Sequence, residues 1–324
     1  MALDFQIIYS GNPQQKFTKC YAQVNAESNK FLVGYTTTYH DNDGDHVGIN
    51  TAKFLSQMHQ LFYDRYEAAK SFGLWAHFIW PTVVAESSGG FHLMVNTYDR
   101  ARFTFGFGQL AAHTPNDNLV LLFRELLKLP TAHTYFPDLN LVNGIVHQQI
   151  GNELKSLETE TTVNRPNGKK ENQIVDFMNY LNPDTKKIGD IEVKNAAKLQ
   201  YWLLNDNDAL KISVKVVISI MKQIVKMTSK QYDLIGKEVE LAMWVLDITY
   251  QARGSVSKIK DALAQSDLQK KLDKLYEIGS ENKDYDSRRI LVKKNIDQLK
   301  LDSVFRGILI GDKKLDFNKN VELG

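Results

Sequence analysis

Two stretches of this chain hold residue types that could break a glycosidic bond. The first is Glu86-Ser87-Ser88-Gly89-Gly90. The second is Tyr98-Asp99-Arg100-Ala101-Arg102-Phe103-Thr104-Phe105-Gly106-Phe107-Gly108-Gln109. A carboxylate ends a predicted helix, and a second follows thirteen positions later on a predicted turn. A threonine comes five residues after that, then two glycines and a glutamine. Glycoside cleavage needs an acid for the leaving oxygen and a carboxylate that activates water or stabilises positive charge. Trp80, Val83, Val84 and Phe91 are close to Glu86 in sequence, and apolar neighbours let a carboxyl keep its proton near neutral pH. Asp99 lies among Tyr98, Arg100 and Arg102, a polar setting that favours the ionised form. Glu86 and Asp99 are therefore the candidate catalytic residues. Tyr98, Gly106, Gly108 and Gln109 are the candidate sugar-binding ones.

Plainer readings stand beside these. Glu86 alone would be a solvated helix-end carboxylate. Asp99 could cap a turn, as aspartate often does between strands, and Thr104 could be an ordinary strand residue. Gly106 and Gly108 complete neither a dinucleotide fingerprint nor a P-loop, which leaves a tight turn. The eight histidines all precede residue 150, and no two are spaced to hold zinc on one helix face. The lone Cys20 excludes an internal disulfide and reads as structural. No GxSxG is present to support a serine nucleophile. His40-Asp41-Asn42-Asp43-Gly44-Asp45 invites a calcium reading, but the sixth and twelfth loop positions counted from Asp41 hold His46 and Ala52, where an EF-hand wants Gly and Glu. No metal or other cofactor is expected. Asp247, buried by pattern, is expected to pair with a cation or cap a backbone group. Trp244 reads as core, and Arg288 and Arg289 as surface or inter-lobe ion-pair residues rather than substrate ligands.

The run from Glu86 to Gln109 resembles the catalytic stretch of the lysozyme superfamily. Glu86-Ser87 followed by Gly106-Phe107-Gly108-Gln109 and Thr114-Pro115 is similar to the Glu-Ser and Gly-Leu-Met-Gln signature of lytic transglycosylases and goose-type lysozymes. Asp99, Thr104 and Gly106 are similar to the Asp, Thr and Gly pattern of phage lysozymes and chitosanases, and the Asp-to-Thr interval is nearer to chitosanases. Gln109 stands where phage lysozymes carry His, and the Glu-to-Asp interval differs from both groups. Ala242-Met243-Trp244-Val245-Leu246-Asp247, continuing to Gln251-Ala252-Arg253-Gly254, resembles the core helix of the superfamily's second lobe. Arg288-Arg289 before a last helix is also similar to its ending. The specific likeness covers about 25 residues, and a weaker architectural one spans 50–305. It implies Glu86 as general acid, Asp99 as base or charge stabiliser, and Thr104 as a residue that orients water. The implied substrate is a β-1,4-linked amino-sugar polymer, peptidoglycan first and chitosan or chitin second. A lysozyme-like module that binds glycan without cutting it is the alternative.

Something must position these residues. Residues 1–50 read as β-rich, with strands at 5–9 and 30–35, and form an expected N-terminal extension. Phe54, Met58, Leu61, Phe62 and Tyr66 recur at helical spacing. A further helix is expected from Pro81, which suits a first turn, to Ser87, stopped by Gly89-Gly90. Residues 91–108 read as a short β excursion, and Asn116 to Leu129 as a helix ended by Pro130. The catalytic lobe is thus expected at 51–150, holding both Glu86 and the glycine-rich turn beside a groove. A polar loop is expected at 151–190 and a helical second lobe at 191–305, with segments near 192–204, 208–228, 236–252, 255–278 and 285–299. Residues 306–324 form a tail. The expected fold class is α+β and mainly α, lysozyme-like and two-lobed by the resemblance.

The 324 residues and 43% apolar content suffice for such a core. A net charge of +2 gives no global field toward nucleic acid or a membrane. No apolar run is long enough to span a bilayer, and Met1 to Ser10 lacks the basic start of a leader. Synthesis in the cytoplasm and action outside it, after delivery by another route, is the expectation. Residues 1–50 are then a candidate docking piece for a delivery or virion partner.

Overall fold

A computed structural model describes residues 2–25, 29–41, 44–165 and 168–317. It is 45% helix and 20% strand, so the α+β class with helix dominant holds. Along the chain run β1 (Phe5–Tyr9), β2 (Lys19–Val24), β3 (Lys30–Asp41) and β4 (Gly44–Asn50), then α1 (Arg65–Phe72) and α2 (Leu74–Glu86). Three two-residue strands follow, β5 (Val95–Asn96), β6 (Thr104–Phe105) and β7 (Leu110–Ala111), then α3 (Leu119–Leu126) and α4 (Ala132–Tyr135). Next come β8 (Leu139–Val142), β9 (Ile145–Ile150), β10 (Glu153–Ser156), β11 (Thr161–Asn164) and β12 (Lys170–Gln173). Helices close the chain: α5 (Val175–Leu181), α6 (Asp190–Asn205), α7 (Asn207–Tyr232), α8 (Val239–Tyr250), α9 (Val256–Leu263), α10 (Leu268–Glu277) and α11 (Asp286–Leu301).

Two compact units share this chain, and each is discontinuous. Unit 1 is Met1–Phe62 with Phe91–Ser213; unit 2 is Tyr63–Gly90 with Val214–Gly324. The expected division differs in three places. Residues 1–50 do not stand apart as an extension, because β1 to β4 are the first four strands of an antiparallel seven-stranded sheet completed by β5 to β7. The 51–150 lobe is divided between the units, so Glu86 belongs to unit 2 while Asp99, Thr104 and the glycine-rich turn belong to unit 1. The 151–190 stretch holds strands and α5 rather than a loop. The polar turn at 40–45 and the polar segment at 164–170 lie partly outside the described residues, as does the end of the tail.

Unit 1 is built on its sheet. The α6 helix packs on β1, β2 and β3. Its Gln200 amide, fully buried, donates to the carbonyls of Val33 and Leu93, each at 3.0 Å, and so ties β3 to the segment before β5. Phe123, Phe136 and Phe177 meet edge to face in the core. In unit 2, α2 is apolar all round, the pattern of a helix buried on every side. Trp75, Phe78, Ile79 and Val83 are buried, and α1, α8 and α11 pack against it.

Local sequence signals explain most differences from expectation. Pro81 does not open a helix; it sits inside α2, where the His77 carbonyl loses its helical donor. The single helix expected from 50 to 66 is a short 3-10 turn at Ala52–Gln57 and then α1, whose N-cap Asp64 accepts from the backbone of Tyr66 and Glu67. The 255–278 segment is two helices, because Asp267 caps α10 by accepting from Lys270 N–H. Among the described residues, no helix is long and apolar enough to cross a membrane.

Candidate functional site

In unit 2, Glu86 is the last residue of α2. Ser87 N–H closes the helix on the Val83 carbonyl, and Ser88, Gly89 and Gly90 then turn the chain with positive φ. At Gly90 (φ 87°), an added Cβ would lie 3.1 Å from that of Tyr63. The carboxyl meets α8 and α11. Its Oε2 accepts from Arg288 Nη1 at 2.6 Å and from the Gln251 amide. Arg288 is a bridge: its other terminal nitrogen donates to Asp247 Oδ1 at 2.7 Å. The second Asp247 oxygen accepts from Arg253 Nη2 at 2.6 Å. Asp247 and Arg253 side chains are fully buried, Arg288 is 9% exposed and Glu86 14%.

This chain of alternating charges depends on close backbone packing. Gly254 follows Arg253 where a Cβ would fall 2.6 Å from Ile278 Cγ2 and 2.9 Å from Ile248 Cγ2. Only glycine lets the segment lie close enough for Arg253 to reach back to Asp247. Asp247 pairs with cations as the sequence reading expected, and Trp244 is core. Arg288 and Arg289 form ion pairs, as expected, but within unit 2 and largely buried.

Burial is the largest influence on the Glu86 carboxyl and raises its pKa above the ordinary value. Arg288 and Gln251 pull the other way and Asp247 adds to the rise; the net shift is upward. Sequence reasoning anticipated the upward direction but assigned it to apolar neighbours. It missed Gln251 and Arg288 as partners, although both belong to segments it had singled out. Arg288 is shared between Glu86 and Asp247, and Asp247 is paired in turn with Arg253. With Oε2 held by two donors, a proton on Glu86 belongs on Oε1, which has no hydrogen-bond partner among the described residues. The carboxyl thus has one oxygen anchored by two donors and a cation beside it.

Unit 1 holds the other candidates, and most of their hydrogen bonds brace turns. Asp99 Oδ1 accepts from Ala101 N–H at 2.9 Å, and Oδ2 from the Asn96 amide at 3.3 Å. Arg102 N–H closes the turn on the Asp99 carbonyl. Thr104 is buried in β6, opposite Asn96 and Ala111. Gly106 has φ 79°, and its carbonyl accepts from both the backbone and the amide of Gln109 (3.0 and 2.7 Å). That amide nitrogen, expected to meet sugar, thus serves its own turn. Gly108 lies in the same turn. Tyr98 is half-buried with its ring 5.5 Å from that of Tyr39. Asn182 clamps the loop by donating to the carbonyls of Thr97 and Arg102.

Sequence reasoning also missed Glu192, on α6. It is almost wholly buried, and its Oε1 accepts a long bond (3.3 Å) from Gly189 N–H. Oε2 has no partner. Burial pushes its pKa up to about 8, with Thr97 and Gly189 opposing. A Glu in the first turn of an amphipathic helix reads as a solvated cap residue, so nothing in the pattern marks it. Among the described residues, no three His, Cys, Asp or Glu side chains gather as a metal site would require.

Comparison with protein-family models, curated proteins and solved structures finds no match to the chain. The lysozyme-superfamily likeness therefore rests on the motifs quoted above.

Proposed function

We propose that the protein cleaves a β-1,4-linked amino-sugar polymer, peptidoglycan first, with Glu86 as general acid. The observation that carries this reading is the state of the Glu86 carboxyl. Burial favours the protonated form, Oε2 is anchored, and Oε1 is left to donate. A general acid must hold its proton until the glycosidic oxygen begins to leave, and must then become an anion at low cost. Burial serves the first requirement. Arg288 serves the second, since its guanidinium lies against the oxygen that shares the new negative charge.

The hydrogen bonds of Asp99 favour a mechanism with one acidic residue, as in lytic transglycosylases. Both oxygens of Asp99 are used within its own turn. Hydrolysis with Asp99 as base or charge stabiliser, and Thr104 orienting water, is the second reading. Its motivation is the sequence likeness to chitosanases. Incubation with purified peptidoglycan and with chitosan separates these possibilities. Wild type should solubilise peptidoglycan and Glu86→Gln should not. Retention of activity by Asp99→Asn supports the one-acid mechanism, and its loss supports hydrolysis with two carboxylates. Cleavage of chitosan alone moves the substrate to that polymer. Binding without cleavage by both wild type and Glu86→Gln would overturn the enzymatic reading in favour of a glycan-binding module.

A further inference from the structure

A pocket of about 480 Å³ lies in unit 1, lined by α6, α5 and the β8–β10 region. Much of its polar lining is already engaged. Asp138 accepts from the Tyr180 hydroxyl at 3.0 Å and from the Gln148 amide at 3.1 Å. Lys155 pairs with Asp176 at 2.8 Å, and the Asn195 amide donates to the Tyr180 carbonyl. Two cations remain. Lys194 and Lys198 are four residues apart on α6 and so share one face of it. Both line the pocket, and neither has an ion-pair partner among the described residues.

Two unpaired ammonium groups at that spacing repel each other. Asp138, in the same lining, relieves them only in part. Lys198 is half-buried with its Nζ 4.9 Å from the Phe136 ring centroid. Burial lowers its pKa from the ordinary lysine value; Asp138 opposes this, and Lys194 adds to it. Each ammonium has three donors and no acceptor, so the missing partner is an anion. The pocket is larger than a bare ion needs and falls within the usual range for small organic ligands. Ile191, half exposed, and Pro183 add apolar surface at its wall.

We infer that this pocket binds a monosaccharide-sized ligand carrying a carboxylate or a phosphate. The anion sits between Lys194 and Lys198, and the ring lies on Ile191 and Pro183. The assignment is independent of Glu86, which belongs to the other unit.

Calorimetric titration of the full chain at low ionic strength tests it with four probes: N-acetylmuramic acid, glucose 6-phosphate, N-acetylglucosamine and inorganic phosphate. At least one charged sugar should bind with Kd near or below about 1 mM. The neutral sugar and free phosphate should each bind at least about tenfold more weakly, since a charge-assisted contact is worth that much. Which charged sugar wins identifies the anion. Lys194→Gln/Lys198→Gln should lose at least about tenfold in affinity, while Lys187→Gln should bind as wild type. Thermal midpoints report folding, and the two single variants replace the double one if it does not fold. The assignment is overturned by any of three results: neither charged sugar binds, the neutral sugar or free phosphate binds as well, or folded lysine variants keep full affinity.

Discussion

Two buried glutamates, Glu86 in unit 2 and Glu192 in unit 1, are held differently. Glu86 in unit 2 has a guanidinium and an amide on one oxygen, and that guanidinium belongs to a charge chain ending in a fully buried pair. Glu192 in unit 1 has a long bond from a backbone N–H, the Thr97 side chain beside it, and no cation among the described residues. Burial raises both carboxyls. They differ in the cost of the ionised state. Glu86 can lose its proton beside a positive charge, whereas Glu192 would become an unpaired buried anion, a costly state. That difference is what the proposed role of Glu86 as general acid rests on.

The comparison can be broken most sharply at Glu86. Glu86→Gln keeps an acceptor for Arg288 and Gln251 but cannot donate an acidic proton. Peptidoglycan-clearing rate should fall by about 10²–10⁴-fold, the usual value of general acid catalysis. The thermal midpoint should change little. A variant that cuts as fast as wild type removes the basis for the enzymatic reading.

Next in size is Asp247→Ala. It leaves Arg253 buried without its carboxylate and frees Arg288 toward Glu86. Breaking a buried pair in this way costs about 3–5 kcal/mol, measurable by chemical denaturation of unit 2. A loss under about 1 kcal/mol would mean that water or rearrangement replaces the pair.

At Glu192 the sign is opposite. Its folded pKa, about 8, lies above the ordinary 4.5. Its contribution to stability is fully present below pH 4.5 and is lost as pH rises through 8. The slope is up to about 1.4 kcal/mol per pH unit. Glu192→Gln should remove that slope and leave the variant more stable than wild type at pH 8. Parallel stability curves for the two proteins between pH 5 and about 8 would show that this carboxyl ionises normally.

The smallest effect is expected from Arg288→Lys. An ammonium cannot bridge Glu86 and Asp247 as the planar guanidinium does. Glu86 loses part of what lowers its pKa, so the alkaline limb of the activity profile should move to higher pH, by about one unit or less. A move to lower pH would contradict the role given to Arg288.

Parts of this arrangement are legible in the sequence. The apolar run around Asp247 marks a buried acid that needs a cation, and the glycines after Glu86 mark a helix end. The partners are not legible, because Arg288 and Gln251 reach Glu86 across 202 and 165 residues of chain, and only packing brings them there. Residues 54–66 misled for a related reason. Phe54 stacks 3.8 Å from Tyr35, and Phe62 pairs with Phe91, so tertiary aromatic partners in unit 1 override the helical spacing. The hairpins between 139 and 173 were hidden because their faces are largely exposed and lack alternating apolar residues.

The discontinuous weave of the two units has a consequence during synthesis. α2, apolar on all sides, is made early, but α8 and α11 are made only after the whole 91–213 stretch has emerged. An unfinished chain therefore has α1 but neither α8 nor α11 to cover the apolar surface of α2, the condition in which clumping competes with folding. Stalled or shortened products ending before residue 239 should be chaperone clients, while the seven-stranded sheet, whose strands are all made by residue 111, can form well before them.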